Sequence, residues 1–280
     1  MAADVGVLDA HVHVWDLQAQ DHSWIPSGSP IRRDYGLADL RSTLAGTPVE
    51  RVVLVQVIND VGETRGFLEH ARAEDLVAGV VGWLDLGRPD VDEALGALAA
   101  DPALVGVRHQ ALAEADPAGW LRSPAVQRGL SALEARGLPF DLIIRPEHFP
   151  AAAESVRAHP SLRFVLDHVG KAPIASRQLE PWASGLRELA AEPNVACKLS
   201  GIHTIAAPGA TYAELAPFVE VALEAFTPAR LVFGSDWPVS TQAASYADVV
   251  DTAIRACASL SVAERAAVLG GTARELYGLN

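Results

Sequence analysis

Two histidines with one residue between them, His11 and His13, lie near the start of the chain. The apolar residues Val5, Val7 and Leu8 before them predict a buried strand. Side chains alternate along a strand, so both imidazoles point to the same face at its carboxyl end. Active sites of parallel barrels are built at that end. The pair can hold a divalent metal or hydrogen-bond a polar substrate. Two histidines whose hydrogen bonds are satisfied inside the core would give the same pattern.

A carboxylate, Asp236, follows the last apolar run of the chain, Leu231–Phe233. If the strands close into a barrel, the first and last strands are neighbours, so Asp236 converges with His11 and His13. Asp236 could take a proton from water or bind a metal beside the two imidazoles. It could also cap a helix. Its occurrence together with the histidine pair favours a catalytic role.

Other predicted strands also end in side chains that can bind a ligand. His168 follows Asp167 at the sixth strand, and alternation puts these two side chains on opposite faces, with His168 facing the barrel mouth. Such polar groups cost free energy when buried unless they are paired, so they imply a polar, oxygen-rich ligand. The further candidates for substrate binding are Arg108, His109, Arg145, His148, Lys198 and Trp24. Each charged candidate could instead form a structural ion pair, and Trp24 could pack in the core.

The elements that position these residues alternate regularly along the chain. Helical patterns, four of which are Val91–Ala100, Ser123–Gly137, Thr211–Phe226 and Ser261–Leu269, separate short apolar runs. The predicted strands are Val5–Val14, Arg51–Ile58, Leu76–Leu84, Leu104–Arg108, Pro139–Arg145, Leu162–His168, Asn194–Leu199 and Arg230–Ser235. This order predicts an α/β fold, a (β/α)8 TIM barrel that forms one domain over residues 1–280. An open doubly wound sheet is the alternative, but no Gly-x-Gly-x-x-Gly follows the first strand.

Two stretches, Leu17–Asp39 and Thr204–Thr211, break this alternation, and we expect them to be loops on the active-site face.

The chain has 280 residues, half of them apolar, and a net charge of −13. This charge disfavours sequence-independent binding to nucleic acid or an anionic membrane. Two cysteines indicate no disulfide framework. The start of the chain has no signal-peptide pattern and no apolar run could span a bilayer, so we expect a cytoplasmic protein.

These motifs together resemble the amidohydrolase superfamily, and within it the amidohydrolase-2 branch of L-fuconolactonase, L-rhamnonolactonase and 2-pyrone-4,6-dicarboxylate lactonase. The resemblance runs along nearly the whole chain, and the sugar lactonases are more similar than the aromatic-acid enzymes. The matching segments are Asp9–Asp16, Arg33–Tyr35, Val80–Asp85, Gly106–His109, Phe140–Leu142, Leu166–Lys171, Lys198–Gly201 and Gly234–Pro238.

The resemblance implies hydrolysis of a sugar-acid lactone, such as L-fucono- or L-rhamnono-lactone. Asp236 is then the general base that takes a proton from water and returns it to the leaving alkoxide. His11, His13 and His168, with a metal or an arginine, stabilise the oxyanion. The residues that would orient the substrate are Arg108, His109, Arg145 and His148, with Lys198 nearby and Trp24 over the sugar ring. The small-molecule substrate is the expected partner, and the protein could be a homo-oligomer.

The resemblance also indicates how many metal ions the site would hold. Binuclear members of the superfamily use a carboxylated lysine on the fourth strand, where this chain has Arg108, and Lys198 lies on the seventh strand. We therefore expect at most one divalent ion, zinc or manganese, held by His11, His13 and Asp236. Some relatives in this branch work without a metal, which leaves metal-independent hydrolysis open.

Two other functions fit the same residues. The first is metal-dependent, non-oxidative decarboxylation of a carboxylated aromatic, in which the histidines and Asp236 hold the ion. The second is non-catalytic binding of a sugar acid on a barrel scaffold. Asp236 disfavours the second alternative, because binding alone needs no general base.

Overall fold

The computed structural model describes residues 6–279 and contains eight strands and eleven α-helices in those residues. The strands are β1 Val7–Val12, β2 Val49–Val55, β3 Val77–Gly82, β4 Leu104–His109, β5 Phe140–Leu142, β6 Phe164–Leu166, β7 Val195–Leu199 and β8 Leu231–Phe233. The helices are α1 Leu37–Leu44, α2 Val61–Ala73, α3 Val91–Ala99, α4 Pro117–Arg122, α5 Pro124–Arg136, α6 Phe149–Ala158, α7 Trp182–Ala190, α8 Tyr212–Phe226, α9 Tyr246–Ala256, α10 Val262–Ala266 and α11 Thr272–Tyr277. All eight strands occur where the sequence predicts them. Val5, the first residue of the predicted first strand, lies outside the described residues.

The eight strands are parallel and pair in chain order from β1 to β8. A parallel bridge between Val12 and Trp237 brings the end of β8 back to β1. Two backbone hydrogen bonds support this junction: the Asp236 N–H donates to His11 O at 2.9 Å, and the His13 N–H donates to Trp237 O at 2.7 Å. The sheet is therefore a (β/α)8 barrel, as predicted. The open doubly wound alternative is wrong, because its first and last strands would not meet.

The strands are nearly continuous apolar runs because both of their faces are covered. Every residue of β4, β5, β6, β7 and β8 is buried. Such runs are typical of parallel sheets enclosed by helices. The end of the barrel where the strands begin is closed by α11, whose Leu276 and Tyr277 pack against strand residues. The opposite end, where the strands finish, is left for the site.

Local sequence signals fix the helix ends. Gly137 ends α5 in the left-handed conformation, with φ 66°, which glycine adopts without a steric penalty. Ser261 and Glu264 form a capping box at the start of α10. The predicted loop Leu17–Asp39 is three residues shorter than expected, because α1 begins at Leu37. No helix in residues 6–279 has the length and hydropathy needed to span a membrane.

Candidate active site

Three side chains from the two ends of the sequence meet where β8 returns to β1. His11 Nε2 lies 3.1 Å from His13 Nε2. Asp236 Oδ1 lies 3.4 Å from His13 Nε2 and 3.8 Å from His11 Nε2. His168 adds a third imidazole, with its Nε2 3.9 Å from Asp236 Oδ1. All four residues are buried, and Asp236 is only 3% exposed.

Two of these side chains, those of Asp236 and His168, are positioned by backbone in a strained, left-handed conformation. Asp236 has φ 60°, and the run from His168 to Lys171 has four consecutive positive φ values of 52°, 47°, 63° and 53°. A non-glycine residue in this region costs on the order of 1–3 kcal/mol, and such residues cluster at functional sites. The turn also breaks the alternation expected at β6. The prediction that Asp167 and His168 face opposite sides is wrong, since both contact the site.

Asp167 lies beside His11 and belongs to a buried layer of charges. Its Oδ1 is 3.4 Å from His11 Nδ1 and 3.3 Å from Lys198 Nζ, and its Oδ2 accepts a hydrogen bond from Arg108 Nη1 at 3.0 Å. Lys198 also donates to Asp141 Oδ2 at 2.5 Å. Two cations and two carboxylates therefore compensate one another beneath the histidines.

The protonation of the site follows from burial. Burial lowers the pKa of His168 to about 3 and also lowers the pKa of His13 and His11. These imidazoles are therefore neutral at pH 7. Burial opposes ionisation of Asp236, but its contacts with the three histidines outweigh burial and lower its pKa below the usual range. Asp236 is thus an ionised carboxylate that can accept a proton.

The geometry of His11, His13 and Asp236 fits a divalent metal ion. His13 Nδ1 donates to the Val55 carbonyl at 2.8 Å, which leaves the lone pair of Nε2 facing the other two residues. Such a hydrogen bond on the outer nitrogen is usual for a metal-binding histidine. Tetrahedral zinc with bonds of about 2.0–2.2 Å separates its ligand atoms by about 3.3–3.6 Å. The observed separations of 3.1, 3.4 and 3.8 Å bracket that range.

A second group of potential metal ligands consists of His11, Asp167 and His168. Two cations already occupy its surroundings. Lys198 Nζ lies 3.2 Å from His11 Nδ1 and 3.3 Å from Asp167 Oδ1, and Arg108 Nη1 lies 3.0 Å from Asp167 Oδ2. Their repulsion would disfavour a metal at this second position. The arrangement therefore fits one ion, as expected from the sequence.

A cavity of about 250 Å³ opens above these residues. Its floor includes Asp236, His13 and His168, and Trp24 from the loop after β1 lies in its wall. Trp24 is 44% exposed and packs edge-on against Trp15 at 5.7 Å between ring centroids. The complete lining is His13, Trp24, Val57, Arg108, Gln110, Leu112, Ile143, His168, Lys171, Asp236 and Val239. The cavity thus combines polar and charged lining residues with apolar ones.

A sequence model of the amidohydrolase family (Amidohydro_2) matches residues 8–279. The chain belongs to this family. An L-fucono-1,5-lactonase from Burkholderia ambifaria is 40% identical over 244 residues, which cover 86% of this amidohydrolase and 83% of that enzyme. An L-fucono-1,5-lactonase from Burkholderia multivorans is 36% identical over 97% of this chain and 96% of its own. The crystal structure of a Burkholderia multivorans amidohydrolase with bound zinc superposes with a TM-score of 0.92, at 36% identity, covering 98% of this chain and 99% of that one.

The sequence-predicted binding residues of this amidohydrolase occupy different places. Trp24 and Arg108 line the cavity. His109 does not: it stacks on Trp120 at 4.0 Å between ring centroids and accepts a hydrogen bond from Trp83 Nε1 at 2.9 Å. Arg145 is exposed, and its backbone N–H donates to His148 Nδ1 at 3.2 Å. Neither Arg145 nor His148 is among the cavity-lining residues. Lys198 lies beneath the floor, where it pairs with Asp141.

Several residues of the site have no predicted role. Gln56 Oε1 accepts a hydrogen bond from Arg108 Nε at 2.8 Å and fixes that guanidinium. The Ser200 hydroxyl lies 2.9 Å from His168 Nδ1 and orients that ring. Asp9 joins β1 to the residues after β8. Lys171 lines the cavity. One signal in the sequence could have found Lys171: it and Lys198 are the only lysines among 22 basic residues, and both follow or end a predicted strand.

Proposed function

We propose that this amidohydrolase opens the ring of a sugar-acid lactone by attack of water, with L-fucono-1,5-lactone as the first substrate to test. The observation that carries the proposal is the ionised, buried Asp236 in contact with His13 at the floor of the cavity. An acceptor of this kind is needed for hydrolysis and not for binding alone. The names of the two Burkholderia relatives support the substrate class.

The size of the cavity supports a compact substrate. Its volume of about 250 Å³ is below the roughly 300–1,000 Å³ of pockets for drug-sized ligands. A single six-membered lactone ring suits that space. Its hydroxyl and carbonyl oxygens would meet the charged floor, and its hydrocarbon face would meet Trp24, Leu112 and Ile143.

In the proposed reaction, Asp236 takes a proton from the water that attacks the lactone carbonyl. His168 is held by Ser200 at 2.9 Å and can donate from Nε2 to the oxyanion that forms. A divalent metal bound by His11, His13 and Asp236 would polarise the same carbonyl, the term that is usually largest in acyl transfer. Arg108 holds Asp167 beside His11, so it maintains the floor as well as lining it. The leaving alkoxide must then receive a proton, and the carboxyl formed at Asp236 is one donor.

The test is an assay of the purified protein with L-fucono-, L-rhamnono- and D-galactono-lactones, followed with a pH indicator. We expect turnover of at least one lactone, and a loss of about 10²- to 10⁴-fold in kcat for Asp236→Asn.

Asp251→Asn is the matched control, because Asp251 lies exposed on α9. Full turnover by Asp236→Asn would refute the assignment of the base. Release of carbon dioxide from a 2,6-dihydroxybenzoate-like acid, without lactone turnover, would support decarboxylation instead.

The proposal also includes two expectations, one about the location of the enzyme in the cell and one about its oligomeric state. We propose that the enzyme works in the cytoplasm and that it can form a homo-oligomer. Fractionation of the native host and light scattering of the purified protein test them separately from the activity.

A further inference from the structure

Lys171 has an unusual position among the cations of the site. It lines the cavity together with Asp236 and His168, at the end of the turn of four residues with positive φ. Its own φ of 53° is a conformation that a lysine adopts only at a cost. Placing this side chain at the cavity therefore costs the folded state conformational free energy.

The ammonium of Lys171 is also unpaired. Within residues 6–279 it has no hydrogen bond and no ion pair, and the carboxylates that attract it are those of Asp236 and Asp167. Arg108 contrasts with it, since its guanidinium is hydrogen-bonded to both Gln56 and Asp167. Lys171 is thus the lining cation whose donors are free for a ligand.

Composition separates Lys171 from the surface cations as well. Only Lys171 and Lys198 among the 22 basic residues are lysines, and the others are arginines. Lys198 is fully buried and pairs with Asp141 and Asp167. Both lysines therefore lie at the site. An ammonium, unlike a guanidinium, is a compact donor that can also give up its proton.

Resting on the proposed lactonase function, we propose that Lys171 is the catalytic residue that protonates the leaving oxygen of the lactone ring, in place of Asp236. Asp236 accepts one proton of the attacking water, whose oxygen bonds to the carbonyl carbon. The bond from that carbon to the ring oxygen breaks with its electron pair on the oxygen. The Lys171 ammonium gives this oxygen a proton, and the Asp236 carboxyl then returns a proton to the Lys171 amine through solvent.

The test compares two leaving groups in Lys171→Met. A sugar lactone releases an alkoxide, whose conjugate acid is about as weak as water, with a pKa near 15.7, whereas an aryl lactone such as dihydrocoumarin releases a phenolate, with a pKa of about 10. We expect kcat on the sugar lactone to fall about 10²-fold or more, and kcat on the aryl lactone to fall less than about tenfold. Arg177→Met, which removes an exposed cation from the same loop, is the control.

Equal losses of kcat on both lactones, or a loss confined to KM, would overturn the role of Lys171. Turnover by the wild type is measured first, so failure of the proposed function is seen before any variant is compared. If another alkyl lactone is opened, the same comparison uses that lactone, and a wild type that opens none overturns both proposals.

Alkylation of Lys171→Cys with 2-bromoethylamine restores an ammonium at this position. The reaction is selective for the introduced cysteine, because Cys197 and Cys257 are buried. We expect it to recover at least about tenfold in kcat, and no recovery would contradict the proposal.

Discussion

Asp9 Oδ1 accepts a hydrogen bond from the backbone N–H of Ser235 at 2.8 Å. The same oxygen accepts the His11 N–H at 3.1 Å, and Oδ2 accepts the Tyr246 hydroxyl at 2.8 Å. One buried carboxylate therefore joins β1, the turn after β8, and α9. By bonding to Ser235, 226 positions further along the chain, it fixes His11 relative to Asp236.

Asp9→Ala should lower both stability and activity. It leaves two backbone N–H groups and a hydroxyl without their acceptor, and each such group costs about 1–3 kcal/mol when buried. We expect the free energy of unfolding, measured in urea, to fall by roughly 3 kcal/mol or more. Tyr246→Phe removes one of the three bonds and should cost about 1 kcal/mol. Equal effects of the two substitutions would contradict this account.

Metal binding should depend on His13. We expect the protein to bind about one zinc ion per chain, and His13→Asn to lower that content severalfold in elemental analysis after dialysis. The reason is the loss of one of three ligands whose atoms are spaced for a single ion. His70→Asn, on the exposed face of α2, is the control. Unchanged zinc content in His13→Asn would refute the site. A chelator that removes zinc without lowering turnover would show that hydrolysis is metal-independent.

Lys198→Met should destabilise the barrel strongly. It leaves Asp141 and Asp167, both fully buried, without the ammonium between them. Breaking a buried pair in this way costs about 3–5 kcal/mol, because a charge stays uncompensated. The double variant Lys198→Met with Asp141→Asn removes one of the two charges and should recover part of the loss. A double variant as unstable as the sum of the single variants would argue against the pairing.

The titration of Glu63 should make the free energy of unfolding depend on pH. It is 2% exposed, and its Oε2 accepts the backbone N–H of Val57 at 2.8 Å. Burial raises its pKa from 4.5 to about 8. Between those values the folded state binds more protons than the unfolded state, so the free energy of unfolding falls as the pH rises. The slope from this one group is at most about 1.4 kcal/mol per pH unit.

Glu63→Gln removes that titration and keeps the acceptor for Val57. We expect urea unfolding to show that the variant gains stability relative to the wild type between pH 6 and 8. The difference between the two proteins isolates Glu63 from Asp9 and Asp141, whose pKa burial also raises. A constant difference over this interval would show that Glu63 does not titrate there.

The sequence by itself determined the architecture and the main chemistry of the site. Apolar runs with helices between them predict a barrel, because strands covered on both faces must be apolar throughout. The position of His11, His13, His168 and Asp236 at strand ends follows from the same pattern, since the carboxyl ends of parallel strands meet at one face. The match to the amidohydrolase family confirms the resemblance on which the expected chemistry rests.

Only the tertiary structure decided which of the polar residues face the cavity. Arg108 and Lys198 are equal candidates in the sequence, yet Arg108 reaches the cavity, while Lys198 is paired beneath it. Asp167 and His168 share a side because the backbone after β6 turns left-handed, which strand alternation cannot foresee. The partners that settle these positions are far away in the chain: Arg108 bonds to Gln56 and Asp167, 52 and 59 residues away, and Lys198 bonds to Asp141, 57 residues away. Long-range hydrogen bonds and a strained turn leave no periodic pattern, so only packing in three dimensions determines them.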